Sequence, residues 1–76
     1  MGGTGGGIMP VKVRELKAIL SRAGFYWRSA KGSHTYWTHP LLPGFRLSIS
    51  GKDGQDAEKY QIRAVKDALR QIGERK

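Results

Sequence analysis

The sequence predicts an α+β domain with the element order α-β-β-β-α, in which a three-stranded antiparallel sheet carries both helices on one face. Three observations predict this fold class. Apolar residues recur at helical spacing over residues 12–23 and again after residue 56. Between these stretches lie three short segments rich in aromatic and β-branched residues, separated by turns that contain Gly or Pro. At 76 residues the chain has room for one small domain with a thin core.

The first helix is predicted over about residues 12–23. Charged side chains occupy one side of this segment, and its other side carries an apolar stripe formed by Val13, Leu16, Ile19, Leu20 and Ala23. Pro10 precedes the helix, where its fixed φ is tolerated. We expect Gly24 to end the helix in the left-handed conformation that glycine adopts readily.

Three strands are expected within residues 25–30, 33–39 and 45–50. Lys31 and Gly32 form a tight connection between the first two, which predicts a hairpin. The third strand alternates, so that its apolar residues share one face, namely Phe45, Leu47 and Ile49. A sheet with one apolar face requires helices on that side only.

A polar loop, "GKDGQD", separates the third strand from the second helix, which is predicted from residue 57 to the last residue. Asp56, or Asp53 before it, is the expected N-cap. The apolar stripe of this helix consists of Ile62, Val65, Leu69 and Ile72. With both helices on one side, the opposite sheet face stays open. This is the layout of a double-stranded-RNA-binding-like fold.

The charge is the strongest signal in the composition, with 14 Lys and Arg against 6 Asp and Glu, and a net charge of +8. A basic balance of this size favours a polyanionic partner, most often nucleic acid. The alternative is a solvated basic surface that keeps a small protein soluble. No stretch approaches the roughly 18 apolar residues of a membrane span. The absence of Cys fits a reducing compartment, so we expect a cytoplasmic protein without membrane contact.

Residues 1–8, "MGGTGGGI", are expected to be a flexible leader added in cloning, with the domain itself covering residues 9–76. The "GGTGGG" run precedes a proline and is not flanked by a strand and a helix. It therefore does not qualify as a phosphate-binding loop.

His34 is the residue whose chemistry depends most on strand alternation. In the second strand His34 and Tyr36 share one face, whereas Trp37 lies on the other. If Trp37 is the buried aromatic, His34 looks outward on the open face, and this is the orientation we expect. If Tyr36 were buried instead, His34 would be buried with it.

An exposed histidine among basic residues suits the cleavage of RNA. Histidine titrates near neutral pH and can act as general base or general acid. Lys31, Arg28 and Arg46 can steady charge on phosphate oxygens. From the residues alone, an ordinary strand histidine is the commoner case.

The residues around His34 suggest how RNA could approach. Gly32 lets a phosphate come close to the backbone, and Ser33 can donate a hydrogen bond. Tyr36 offers a stacking surface for an unpaired base. The chain has two histidines and no cysteine, so we expect no metal site and no cofactor.

Three short stretches of the sequence together resemble the HicA (YcfA-like) family of bacterial toxins, and the resemblance extends over residues 9–76. They are the first helix ending "RAGF", the motif "KGSH" followed by an aromatic, and "HP" beyond it. The resemblance implies a double-stranded-RNA-binding-like fold and an mRNA interferase, that is, an endoribonuclease that acts on mRNA without the ribosome. It also implies neutralisation by a HicB antitoxin. The protein is then a monomer when free or part of a toxin–antitoxin complex.

The resemblance makes His34 the catalytic histidine, with Gly32 and Ser33 in the same motif and Arg28 matching a basic residue before it. Many members continue the third strand into a proline and a second histidine, where this chain has "LSISGKDGQD". A non-catalytic RNA-binding module of the same fold is the alternative reading.

Overall fold

The computed structural model describes residues 11–75, and it shows the predicted order of two helices and three strands. The strands pair antiparallel in the order β1-β2-β3, which confirms the predicted α+β class and the hairpin between the first two. The predicted leader and Pro10 lie outside the described residues. The elements are α1 Val13–Arg22, β1 Tyr26–Ser29, β2 Thr35–Thr38, β3 Leu47–Ile49 and α2 Lys59–Arg75.

The strand register sorts the side chains of the sheet onto two faces. Trp37 of the central strand β2 lies opposite Trp27 of β1 and Leu47 of β3, so these three point to the same side. The next residue, Tyr36, lies opposite Arg28 and Ser48, and this row points to the other side. We call the side that carries Tyr36 the open face.

Both helices cover the face that carries Trp37. The buried residues of this face and of the two helices form a single core. Trp37 is only 2% exposed, whereas Trp27 on the edge strand β1 is 57% exposed because it lies at the margin of the core. The core consists of Val13, Leu16, Leu20, Phe25, Trp37, Leu42, Leu47, Ile49, Val65, Ala68 and Ile72.

The buried polar atoms around Trp37 are satisfied within the sheet. The indole Nε1–H of Trp37 donates to Thr35 Oγ1 at 2.9 Å, and the Thr35 hydroxyl donates to the carbonyl of Ile49 at 3.1 Å. A buried indole N–H without an acceptor would be costly, so Thr35 makes the burial of Trp37 possible. The bond from Thr35 to Ile49 also joins β2 to β3.

Both ends of α1 are stabilised by residues next to them in the sequence. The backbone N–H of Lys12 donates to Glu15 Oε1 at 2.7 Å, which satisfies one free amide at the first turn. At the other end Gly24 has φ +96°, as predicted, and the N–H of Phe25 reaches back to the carbonyl of Leu20 at 3.0 Å.

The predicted N-cap of α2 is wrong. Asp56 accepts a hydrogen bond from Lys12 Nζ at 2.6 Å, and Asp53 accepts one from Lys17 Nζ at 2.8 Å. Asp56 therefore pairs with the residue just before α1, and Asp53 pairs with a lysine within α1. The helix α2 begins at Lys59 rather than at residue 57, so neither aspartate is adjacent to its first residue.

The start of α2 is stabilised by Gln61, a buried polar residue that the apolar pattern did not reveal. Its Oε1 accepts from the N–H of Glu58 at 3.0 Å, and its Nε2 donates to the carbonyl of Ser50 at 3.0 Å. The buried stripe of α2 accordingly runs through Gln61, Val65, Ala68 and Ile72. Ile62 and Leu69 are half-buried beside it.

Most acidic side chains lie away from the sheet and are paired. On α2, Asp67 and Glu74 both contact Arg70. The hydrogen bond from Arg70, followed by that from Gln71, lowers the pKa of Asp67. These exposed pairs offset part of the positive charge of the helix and leave the sheet without a compensating acid.

Gly24→Ala should lower the free energy of unfolding by about 1–2 kcal/mol, because φ +96° is unfavourable for alanine. The added Cβ would also lie 3.2 Å from His39 Nε2. Urea unfolding of Gly54→Ala provides the control, since a Cβ at Gly54 meets nothing within 4 Å. Equal stability of the two variants would contradict this account of the α1 terminus.

Candidate functional site

His34 lies at the end of the turn that joins β1 to β2. Its N–H donates to the carbonyl of Lys31 at 3.2 Å, and its own carbonyl accepts from the N–H of Ala30 at 2.9 Å. Gly32 within this turn has φ +63°, a conformation that side-chain-bearing residues rarely adopt. Because the N–H of His34 closes the turn, β2 begins at Thr35, one residue later than His34.

The direction of the His34 side chain follows from the burial of its neighbours. Thr35 and Trp37 are buried beneath the helices, Tyr36 is half-buried on the open face, and His34 is exposed. The expectation that Trp37 rather than Tyr36 is the buried aromatic is therefore confirmed. The ring of His34 makes no hydrogen bond with another residue of the described part of the chain, so both of its nitrogens can meet a ligand.

A groove of about 560 Å³ runs across the open face. Arg46 lies within it, with its guanidinium carbon 4.2 Å from the centre of the Tyr36 ring. This is the geometry of a cation–π contact, which holds the guanidinium over the aromatic face. The groove is lined by Tyr26, Trp27, Arg28, Ser29, Ala30, Tyr36, Thr38 and Arg46.

The predicted site residues therefore fall into two adjacent groups. Three of them share the groove, namely Arg28, Tyr36 and Arg46. The other four form the exposed turn beyond its end, namely Lys31, Gly32, Ser33 and His34. Ala30 connects the groups, because it lines the groove and hydrogen-bonds the carbonyl of His34.

Within the turn, Ser33 and Gly32 differ in what they contact. Ser33 Oγ accepts a hydrogen bond from the N–H of Gly51 at 3.3 Å, which ties the turn to the loop after β3. Its hydroxyl proton remains available for a further acceptor. A Cβ built on Gly32 meets nothing within 4 Å, so the space in front of this glycine is open.

The open face is positively charged. No Asp or Glu occurs between Glu15 and Asp53, so the entire sheet is free of acids. The ion pairs found among residues 11–75 use Lys12, Lys17 and Arg70 as their cations. The charges of Arg28, Lys31 and Arg46 are therefore not neutralised by a carboxylate of the described chain.

The second histidine, His39, is a structural residue. Its Nδ1 accepts from the N–H of Leu41 at 3.0 Å, so the proton lies on Nε2, which donates to the carbonyl of Ala23 at 3.1 Å. Its ring also meets the edge of Phe25, with centroids 4.9 Å apart. His39 thus joins the loop after β2 to the end of α1, and both of its nitrogens are occupied.

Tyr26 and Thr38 belong to the groove but were not predicted as site residues. Strand alternation contained the necessary signal for Tyr26, which lies two residues before Arg28 and therefore on the same face. For Thr38, the register places it directly opposite Tyr26. This pairing depends on the register of the β1–β2 hairpin, which the sequence pattern alone did not define.

Within residues 11–75 no group of three or more His, Cys, Asp or Glu side chains lies close enough together to hold a metal ion. Neither helix of that same range has the length and apolar character needed to cross a membrane.

The fold and its surface define a small basic α+β domain with one helix-covered sheet face and one open face. Residues 13–74, more than half of the chain, match the family model described as the HicA toxin of bacterial toxin–antitoxin systems. The chain therefore belongs to the HicA toxin family, and it is a toxin of the kind that is paired with an antitoxin. No curated protein and no solved structure matched the chain, so its likeness to the double-stranded-RNA-binding fold stays a prediction.

The two histidines should differ in their effect on stability. His34→Ala should change the free energy of unfolding by no more than about 0.5 kcal/mol, because its ring is exposed and makes no hydrogen bond to the described chain. His39→Ala should lower it by about 1–3 kcal/mol, since two hydrogen bonds and the Phe25 contact are lost. Urea unfolding of both variants tests this, and a larger loss for His34→Ala would contradict it.

Proposed function

We propose that the protein is an endoribonuclease that cleaves mRNA, with His34 as its general acid or base. The observation that carries the proposal is the position of His34. It is an exposed histidine at the end of a sheet face whose arginines lack acidic partners within the described chain. Membership of the HicA toxin family supports the same reading, because such toxins are generally ribonucleases.

RNA carries its own nucleophile, and this limits what the protein must supply. The 2′-oxygen attacks the adjacent phosphorus, the new P–O2′ bond forms, and the P–O5′ bond breaks. One proton must leave the 2′-hydroxyl and another must reach the 5′-oxygen. Histidine can perform either transfer near neutral pH. In this proposal His34 performs one of them and water the other.

The basic residues act on the phosphate. Negative charge accumulates on the non-bridging oxygens during the attack, and fixed cations stabilise it. Lys31 stands in the same turn as His34, and Arg28 lies on the open face two residues before Ala30. Arg46 is held against Tyr36, so its free side is directed to a ligand in the groove.

Gly32, Ser33 and Tyr36 complete the proposed site. The open space in front of Gly32 lets a phosphate approach the turn backbone, and the Ser33 hydroxyl proton can bond a phosphate oxygen. Tyr36 carries Arg46 on its ring, so a base that stacks at this position meets the guanidinium plane. The proposed chemistry uses neither a metal nor another cofactor.

The proposed partner is a HicB-like antitoxin. A toxin of this family requires an antitoxin, and covering the turn that holds His34 would exclude mRNA. An acidic partner surface would suit the cations of the open face, since neutralising them stabilises the complex and speeds association.

His34→Ala should abolish both mRNA cleavage and growth arrest, because the group that moves the proton is gone. The test compares purified wild-type protein and the variant on a defined mRNA, with unfolding measured in parallel. His39→Gln, assayed at a temperature where it is folded, is the matched control and should still cleave. Cleavage by a folded His34→Ala variant would refute the proposed role.

The cleavage rate should depend on pH, because a general acid or base acts in only one of its two protonation states. It should rise with pH if the histidine is the base and fall with pH if it is the acid. Addition of EDTA should leave the rate unchanged, since the proposed proton transfers need no metal. A flat pH profile, or activity lost in EDTA, would contradict the mechanism.

A second candidate function is a non-catalytic RNA-binding module. The observation in its favour is that the groove holds arginine and tyrosine side chains, whereas His34 lies beyond the groove end. A module of this kind would bind RNA with an affinity that falls steeply with salt. In that case His34→Ala would change the affinity only slightly and no wild-type cleavage would be seen.

A further inference from the structure

Tyr26 is the most exposed large aromatic residue of the open face. It is the first residue of β1, lies opposite Thr38, and is 68% exposed. Strand alternation places it on the same side as Arg28. A tyrosine that presents this much of its ring on a basic surface is available to a planar ligand.

Tyr26 lines two adjoining grooves. One is the groove of about 560 Å³ that also contains Arg28 and Tyr36. The other, of about 500 Å³, continues toward the loop of residues 39–45. Thr38 and Arg46 line both as well, so the two form one track that passes Tyr26.

Tyr26 and Tyr36 are not equivalent. Tyr36 is half-buried and carries the guanidinium of Arg46 on its ring. Within the described residues, no other ring or guanidinium stacks on Tyr26. One tyrosine therefore serves to hold an arginine, and the other presents its own aromatic surface.

The spacing along the sheet separates Tyr26 from the turn that holds His34. At a rise of about 3.3 Å per residue, Thr38 lies about 13 Å from His34 along the chain direction of β2. Tyr26 stands beside Thr38 on the neighbouring strand. In RNA-binding domains that bind through a sheet, aromatics on one sheet face stack two or three successive bases.

We propose that Tyr26 and Thr38 form a second subsite, which binds one unpaired base of a single-stranded RNA away from the cleaved phosphate. This inference rests on the proposed function. The base stacks on the Tyr26 ring, and the Thr38 hydroxyl bonds the base edge or the ribose. Arg46, which lines both grooves, contacts the phosphate between this base and the one nearer His34.

The test measures binding separately from cleavage. All variants carry His34→Ala, so that the RNA stays intact, and a labelled eight-nucleotide single-stranded RNA is titrated by fluorescence anisotropy. Tyr26→Ala should weaken binding about tenfold, because the stacking surface is removed. Tyr26→Phe should bind like the parent, since the ring remains.

Tyr60→Ala is the matched control. Tyr60 is a tyrosine of similar exposure, 63%, but it lies at the start of α2 and away from the open face. Its removal should leave the affinity unchanged. Unchanged binding by Tyr26→Ala, equal losses for Tyr26→Ala and Tyr60→Ala, or no RNA binding by the parent would each overturn the proposed subsite.

Failure of the subsite and failure of the proposed function give different results. If wild-type protein cleaves RNA but Tyr26→Ala binds it normally, the subsite is wrong and the ribonuclease assignment stands. If Tyr26→Ala weakens binding but the wild-type protein does not cleave, the subsite stands and the catalytic proposal fails.

Discussion

The indole of Trp37 lies at the centre of the middle strand, with its N–H on Thr35 Oγ1 and the Thr35 hydroxyl on the carbonyl of Ile49. Because side chains alternate along a strand, this burial forces Tyr36 to the opposite face. A slip of one residue would exchange the two faces of the strand. The buried hydrogen bonds between β2 and β3 therefore fix which face carries the proposed chemistry.

The charged residues are also divided between the helix-covered side of the sheet and the open face. Asp53 and Asp56 of the loop before α2 pair with Lys17 of α1 and with Lys12 just before it. The acids of α2 pair within that helix. These contacts hold the loop against the covered side of the domain. The charged side chains in and beside the sheet are all positive, so an anion that approaches the domain meets uncompensated charge on the open face. The ion pairs thus occupy four of the acids on the helical side and leave the cations of the proposed site without an acidic partner in the described chain.

The sequence predicted the features that depend on residues close together in the chain, such as helices, strand faces and helix ends. Helical spacing identified both helices, and strand alternation with the larger aromatic placed inside gave the correct direction for Tyr36 and Trp37. Glycine at the end of α1 was also predictable, because few other residues adopt a positive φ.

Contacts between distant parts of the chain were not predictable in the same way. Asp56 and Asp53 resemble helix caps by their position in the sequence. Their carboxylates instead accept hydrogen bonds from Lys12 and Lys17, which lie 44 and 36 residues earlier in the chain. The contact of Arg46 with Tyr36 follows from the β2–β3 register, which pairs Tyr36 with Ser48, two residues after Arg46. Gln61 is polar by type, and only its bond to the carbonyl of Ser50 explains its burial.

The proposed function requires RNA to bind on the open face, with the turn of His34 at one end. The most direct measurement is an NMR titration of labelled wild-type protein with a single-stranded RNA that is methylated at every 2′-oxygen and so cannot be cleaved. The account predicts amide shifts confined to the turn of residues 31–34, to β1 and β2, and to the residues around Arg46. Shifts centred instead on α2, where Lys59, Arg63 and Lys66 line another surface groove, would show that RNA binds elsewhere.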